Sequence, residues 1–167
     1  MICVKRSWTG VAEEVCRSCG GECCRDAHPP ISPQRRSILL SIGCPDTVFE
    51  DAGYTRLKCR PGGMCVMCRD GRCAVHDHKP ETCVSGPFTF DRKDGMIAIY
   101  VKKEEICPLV RYLKQDPGLY REQMRVAVDH IRRLFSDLPP GEMEIVLSIP
   151  EPATDLVTML PLEGDAQ

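Results

Sequence analysis

Four cysteines occupy nine consecutive positions in the stretch Cys16-Arg17-Ser18-Cys19-Gly20-Gly21-Glu22-Cys23-Cys24. A Cys-x2-Cys knuckle directs two thiolates to one metal ion without straining the backbone, and glycines permit the tight turn that points backbone amides at the sulfurs. Adjacent side chains diverge, since they take opposite faces in an extended chain and differ by about 100° in a helix. We therefore expect Cys23 and Cys24 to bind different metal ions or different corners of one polynuclear cluster.

A second group of cysteines follows with the spacing Cys65-x2-Cys68-x4-Cys73-x9-Cys83. Glycines again accompany the thiols, just before the knuckle and just before Cys73. Cys107 lies where a predicted strand gives way to a predicted helix, and the positive end of a helix dipole favours a thiolate there. We expect these five cysteines to contribute to metal binding together with the first motif.

The cysteine content favours metal ligands over disulfides. All 12 cysteines lie between Cys3 and Cys107. The first residues lack the apolar stretch and cleavage site of a signal peptide, and no apolar run approaches the roughly 20 residues that span a bilayer. We expect a cytoplasmic protein, in which thiols stay reduced, and a disulfide scaffold is the less favoured alternative.

Charge and composition narrow the classes of partner. The formal net charge is -2, which gives no overall field for attracting nucleic acid or an anionic membrane surface. Hydrophobic residues make up 43% of the chain but aromatic residues only 5%. A core so short of large rings needs another source of stability, and metal binding supplies one because its free energy becomes folding free energy.

The sequence between and after the cysteine groups predicts a small α+β domain. Ser32 and Pro33 have the residue types of an N-cap and a first helical position. The apolar side of that helix is predicted to consist of Ile38, Leu39 and Ile42, with Gly43 as its stop. Residues 88–90 and 96–101 flank a turn sequence that contains glycine, and they predict a β-hairpin.

Helical patterns follow the hairpin. Cys107 and Pro108 predict the start of a short helix, and Asp116 with Pro117 predicts the cap of a longer one that reaches about residue 138. We expect residues 142–149 to form a strand and the last few residues to fray. Residues 1–167 are predicted to form a single domain, with the metal-binding part at about 16–110 and residues 111–167 packing on it.

The two cysteine groups resemble a known family. The first motif, followed by Gly71-Arg72-Cys73-Ala74-Val75-His76-Asp77-His78-Lys79-Pro80-Glu81-Thr82-Cys83, resembles the YkgJ-type CxxCxxxCC family. Its members are described as zinc- or iron-chelating proteins and are often labelled Fe–S oxidoreductases. The resemblance covers about residues 16–110. His76 stands in the place of a family tyrosine, Lys79 in the place of an arginine, and Gly86-Pro87-Phe88 replaces the usual Phe-Pro ending.

The resemblance implies a ligand set of eight cysteines. In this chain they are Cys16, Cys19, Cys23, Cys24, Cys65, Cys73, Cys83 and Cys107. Cys68 is a further candidate ligand. Cys3, Cys44 and Cys59 match nothing in the family pattern and are expected to be structural or incidental.

Three classes of function fit these residues. The favoured one is an iron–sulfur protein, for example of the 4Fe–4S type, that acts in electron transfer or in metal handling with a protein partner. The first alternative is a zinc-stabilised structural or interaction module, since knuckle spacing also suits zinc. The second is a cluster-dependent enzyme, because the family domain resembles the cysteine-rich part of flagellin lysine N-methylases. The sequence predicts no catalytic residue.

Overall fold

The computed structural model describes residues 8–151 and 153–162, apart from the side chains of residues 8 and 9. Six α-helices lie within these ranges: α1 Trp8–Cys19, α2 Pro33–Ser41, α3 Glu81–Ser85, α4 Leu109–Gln115, α5 Pro117–Asp137 and α6 Pro140–Leu147. The strands are β1 Phe49–Asp51, β2 Thr55–Leu57, β3 Cys68–Arg69, β4 Arg72–Cys73, β5 Phe88–Lys93, β6 Met96–Lys102 and β7 Thr154–Pro161. The predicted α+β class with a C-terminal helix is confirmed.

A three-stranded antiparallel sheet and the long helix α5 form one hydrophobic core. The strand order is β5-β6-β7, and Asp94 and Gly95 join β5 to β6 with φ values of 53° and 72°. Such a pair of left-handed residues gives the two-residue turn whose twist suits a hairpin. On the inner face of the sheet, Phe88 and Ile99 pack in one cluster with Ile131 and Leu134 of α5.

A second hydrophobic cluster lies among the cysteines. Leu39 of α2 and Leu57 of β2 are fully buried there. The same cluster includes Cys65, Met67 and Cys68. The short pairs β1-β2 and β3-β4 are separate two-stranded ladders, so this part of the protein has little regular sheet to support it.

Two of the predicted helix starts are confirmed by their caps. The Ser32 hydroxyl oxygen accepts a hydrogen bond from the Arg35 backbone N–H at 3.1 Å. The Asp116 carboxylate accepts from the N–H groups of Gly118 and Leu119 at 2.9 and 3.1 Å. Each cap satisfies N–H groups that have no partner within their own helix.

The predicted strand at 142–149 is wrong, because these residues belong to α6. Pro139 caps this helix and Pro140 occupies its first turn, where the missing N–H of proline costs nothing. Met143 is buried against the sheet core. The third strand of the sheet is β7 instead, which no sequence pattern predicted.

The predicted apolar side of α2 is only partly correct. Leu39 is buried, but Ile38 and Ile42 are 38% and 44% exposed. The inward face carries Arg35 and Leu39, because Arg35 reaches a buried carboxylate. The predicted fraying of the last residues, like Cys3, lies outside the described residues. None of the described helices is long and apolar enough to cross a bilayer.

Candidate metal centre

The first motif lies at the C-terminal end of α1. Cys16 and Cys19 are three residues apart in α1, so they share one face of it. Gly20 and Gly21 both have positive φ, and the Gly21 N–H donates to the Cys16 carbonyl at 3.1 Å. This turn ends the helix in the left-handed conformation that glycine adopts without strain, and it leads into a short 3-10 helix, Glu22–Cys24.

The second motif contains a tight hairpin whose strands are β3 and β4. Asp70 and Gly71 form its turn, with φ values of 51° and 72°. Cys68 and Cys73 are directly opposite each other in this ladder, so their side chains lie on the same face. The hairpin therefore places Cys68 beside Cys73. The resemblance implied Cys73 as a ligand but did not include Cys68.

The glycine turns of the two motifs pack against each other. A methyl group at Gly21 would lie 3.3 Å from Cys68 Sγ and 3.6 Å from Gly71 Cα. A methyl group at Gly71 would lie 3.4 Å from Arg17 Cα. Glycine is needed at both positions for the close approach as well as for φ, and this approach brings the first cysteine group to the second.

Backbone amides support several sulfurs. Burial raises the pKa of the Cys65 thiol, and hydrogen bonds from the N–H groups of Met67 and Cys68 offset part of that rise. Burial also raises the pKa of Cys73 and that of Cys107, and hydrogen bonds from the N–H groups of Val75 and Leu109, respectively, offset part of each rise. These bonds stabilise the thiolate, which is the form that binds a metal, and such hydrogen bonds to sulfur tune a bound cluster.

Helix α3 carries Cys83 and is held on two sides. On one side, Arg35 of α2 donates to Glu81 Oε1 through Nη2 at 2.7 Å and through Nε at 3.0 Å. On the other, Gln123 of α5 donates through Nε2 to the carbonyl oxygens of Val84 and Gly86, at 3.0 and 2.8 Å. The helix that carries Cys83 is thus held by α2, which packs in the second hydrophobic cluster, and by α5, which packs on the three-stranded sheet.

The thiols of all nine predicted ligands lie close enough for their charges to affect one another. Two neighbourhoods result, one of Cys16, Cys19, Cys23 and Cys107 and the other of Cys24, Cys65, Cys68, Cys73 and Cys83. Cys23 belongs to the first neighbourhood and Cys24 to the second, so these two adjacent residues link the neighbourhoods. Cys23 also affects Cys83 of the second neighbourhood, so its charge reaches both groups of thiols.

The two adjacent thiols have opposite acidities. A hydrogen bond from the Cys24 thiol lowers the pKa of Cys23 to about 6, with help from the charges of Lys102 and Lys79. The same hydrogen bond and burial raise the pKa of Cys24 far above its ordinary value. A cation bound at Cys24 would replace the proton that Cys24 donates to Cys23.

Burial governs two further thiols. It raises the pKa of Cys16 to about 11 and that of Cys83 to about 12, and in each case the charge of Cys23 adds to the effect. Cys83 is nevertheless exposed at the protein surface. A cation that bound these sulfurs would remove the cost of ionising them, because a metal deprotonates a coordinating thiol.

Two lysines place positive charge beside the thiols. The charge of Lys79 bears on Cys16, Cys23, Cys73 and Cys83. The charge of Lys102 bears on Cys23 and Cys107. Lys102 was not predicted, since it ends strand β6 and only the fold brings it beside the first motif. Both cations offset the negative charge of a centre with many thiolates.

The donor set fits a thiolate-bound metal, although the sulfurs do not converge. Among the residues that the structure describes, no group of three His, Cys, Asp or Glu side chains is arranged so as to hold a metal ion. Nine neighbouring thiols with amide and lysine support nevertheless match the soft-ligand chemistry of zinc or iron–sulfur sites.

Two other cysteines lie near the second hydrophobic cluster. Cys44 packs against that cluster, and its N–H donates to the Leu39 carbonyl at 3.0 Å. Cys59 donates through its sulfur to the Ala27 carbonyl at 3.3 Å. The charge of Cys65 affects Cys59, so Cys59 borders the ligand set even though it matched nothing in the family pattern.

A groove between α1 and α4 reaches the edge of the thiol network. It has a volume of about 500 Å³, and its wall includes Cys19 and Val15 from α1 with Pro108 and Tyr112 from the region of α4. Tyr112 is 44% exposed. Cys19 can therefore be approached from the surface on this side.

One family model matches the chain. This model, CxxCxxCC, is described as a domain proposed to chelate zinc or iron, and it matches residues 15–122. The model's name places two residues between its second and third cysteines, whereas this chain has three, Gly20, Gly21 and Glu22. No curated protein and no solved structure shows a significant match. Because the matched segment spans every cysteine of the predicted ligand set, the chain belongs to the CxxCxxCC family and is a metal-binding protein.

Proposed function

We propose that this protein is an iron–sulfur protein that acts in electron transfer or in metal handling together with a protein partner. The observation that carries the proposal is the single network of nine thiols, which Cys23 and Cys24 join. One tetrahedral zinc ion uses only four ligands. Nine neighbouring thiols, drawn from Cys16 to Cys107, suit either a polynuclear centre or two centres.

The electrostatics of the site support a centre of high negative charge. The charge of Lys79 acts on thiols of both neighbourhoods, and the charge of Lys102 acts on thiols of the first. Net charge, hydrogen bonds to sulfur and solvent exposure are the levers by which a protein sets a cluster's reduction potential. The lysines and the amides of Met67, Val75 and Leu109 would act in this way on a bound cluster.

The groove beside Cys19 supports a role that involves a partner. Electron transfer and metal transfer both require another molecule to approach the centre. Cys19 is reachable from this groove, whereas Cys65 and Cys68 are buried. The proposal includes a cytoplasmic location for the protein and its partner.

The arrangement of four of the cysteines favours the zinc alternative. Cys65, Cys68 and Cys73 come from one knuckle and one hairpin, and the Cys65 N–H donates to the Cys24 carbonyl at 2.8 Å. These four cysteines therefore adjoin within a compact region, as the ligands of a closed structural zinc site do. Such a site would make the protein a zinc-stabilised interaction module.

Metal and acid-labile sulfide analysis of protein purified without oxygen separates the two. We expect iron with a matching amount of sulfide and a broad visible absorbance from thiolate-bound clusters. A colourless protein with zinc and no sulfide would reject the iron–sulfur proposal in favour of the zinc module.

A further inference from the structure

Cys59 lies opposite Cys65 in an isolated antiparallel bridge. Two backbone hydrogen bonds flank this pair, from Val66 N to Lys58 O at 3.0 Å and from Arg60 N to Met64 O at 2.7 Å. The pair is thus of the non-hydrogen-bonded kind, in which the Cα atoms are only about 4.5 Å apart and the side chains share one face. Disulfides form across Cα separations of about 4.4–6.8 Å.

The two thiols differ in their surroundings. Cys65 is buried and belongs to the predicted ligand set. Cys59 is half-buried, and its Sγ lies 3.3 Å from the Ala27 carbonyl oxygen and 3.8 Å from Nδ1 of His28. Rotation about the Cα–Cβ bond of Cys59 carries its sulfur from Ala27 toward Cys65. Cys59 is therefore a thiol outside the predicted ligand set that lies beside a predicted ligand, Cys65.

We propose that Cys59 and Cys65 are a modification site, at which a hydroperoxide forms a disulfide that withdraws Cys65 from the metal centre. The disulfide requires only the backbone pairing. Its effect on the centre rests on the proposed function, since it requires Cys65 to be a ligand.

The reaction balances with one peroxide. The Cys59 sulfur attacks one oxygen of hydrogen peroxide, the O–O bond breaks, and a sulfenic acid and one water form. The Cys65 thiolate then attacks the Cys59 sulfur, the S–S bond forms, and hydroxide leaves and takes up a proton as a second water. The two sulfurs supply the two electrons. Cys65 no longer bears the charge of a thiolate and leaves the metal.

The competing product is a disulfide between Cys65 and Cys68, which the knuckle also brings near each other. Trypsin places all three cysteines in one peptide, residues 59–69, because it cuts after Lys58 and Arg69 but not before Pro61. A loss of two hydrogens from that peptide shows a disulfide without locating it. The variant Cys59→Ser separates the two products, since it can form only the knuckle disulfide.

The test uses the full-length protein with its metal, treated with hydrogen peroxide, alkylated and digested. We expect a peptide 59–69 that has lost two hydrogens and carries the alkyl group on Cys68. This product should be absent from Cys59→Ser and unchanged in the control Cys44→Ser. A wild-type peptide that carries its alkyl group on Cys59 instead of Cys68, or a wild-type peptide that loses no hydrogens, would overturn the proposal.

Metal retention is measured on the same samples. We expect the metal to be released in step with the disulfide, and more slowly from Cys59→Ser. Full retention of metal by the disulfide form would overturn the link to the centre. The disulfide is located whether the metal is zinc or iron, so failure of the iron–sulfur proposal is distinguishable from failure here.

Discussion

Arg35 and Glu81 form a buried ion pair that links helix α2 to the helix that carries Cys83. The Arg35 Nη2 and Glu81 Oε1 atoms are 2.7 Å apart, and the two side chains are 8% and 2% exposed. Arg35 also donates to the His78 carbonyl at 3.4 Å. Glu81 Oε2 has no hydrogen-bond partner within the described part of the chain, so this attachment of α3 depends on Oε1.

Glu81→Gln should destabilise the protein strongly. Removal of one partner from a buried pair leaves an uncompensated charge and costs about 3–5 kcal/mol. The matched control is Glu144→Gln, because Glu144 pairs with Arg92 at 2.6 Å at the surface, where such pairs contribute about 1 kcal/mol or less. Chemical denaturation of the metal-loaded variants measures both changes. Equal losses of stability would show that Arg35 does not depend on Glu81.

Gly21→Ala should cost more than Gly20→Ala. Both residues have positive φ, where an alanine costs roughly 1–2 kcal/mol. A methyl group at Gly20 would meet nothing within 4 Å, whereas one at Gly21 would lie 3.3 Å from Cys68 Sγ. We expect only Gly21→Ala to lower the metal content as well, because it pushes the first motif away from the hairpin. Metal analysis and thermal unfolding of the pair check this, and identical behaviour would contradict the close packing.

Cys68→Ser should lower the metal content, and Cys44→Ser should not. Cys68 is opposite Cys73 in the hairpin, and its charge affects Cys24, Cys65 and Cys73. Cys44 lies outside the network of predicted ligands. Elemental analysis of the two purified variants makes the comparison. A full metal complement in Cys68→Ser would remove Cys68 from the ligand set.

Metal removal should loosen the two parts of the protein unequally. The cluster around Leu39 and Leu57 includes the ligand cysteines Cys65 and Cys68, so metal binding contributes to its folding. The core between the sheet and α5 buries larger side chains and contains no ligand cysteine among its fully buried members. Hydrogen exchange after chelation should therefore rise first in residues 16–75. An equal rise along α5 would mean that the two parts unfold together.

Local elements of the fold could be predicted from the sequence better than the way these elements assemble. The knuckles, the glycine turns and the hairpin follow from residue type and spacing, and the structure confirms the hairpin and the caps of α2 and α5. The predicted strand at 142–149 is wrong because the alternating residues of this segment also fit a helix. Pro139 and Pro140 begin that helix. Local pattern does not say which apolar face a neighbouring element will cover.

The contacts between distant segments had no local signal. The packing of Gly21 on Gly71, the reach of Arg35 to Glu81 and the position of Lys102 all depend on the tertiary fold. Cys59 matched no motif and was expected to be structural or incidental. Only the tertiary fold reveals that its backbone pairs with that of Cys65. Long-range relationships of this kind decide which thiols become neighbours.

X-ray absorption spectroscopy at the edge of the bound metal tests most directly whether the cysteines hold it. We expect a first shell of sulfur only, at about 2.3 Å, the distance of metal–thiolate bonds in zinc sites. A first shell dominated by nitrogen or oxygen at about 2.0–2.2 Å would contradict the assignment of the metal to the network of nine thiols.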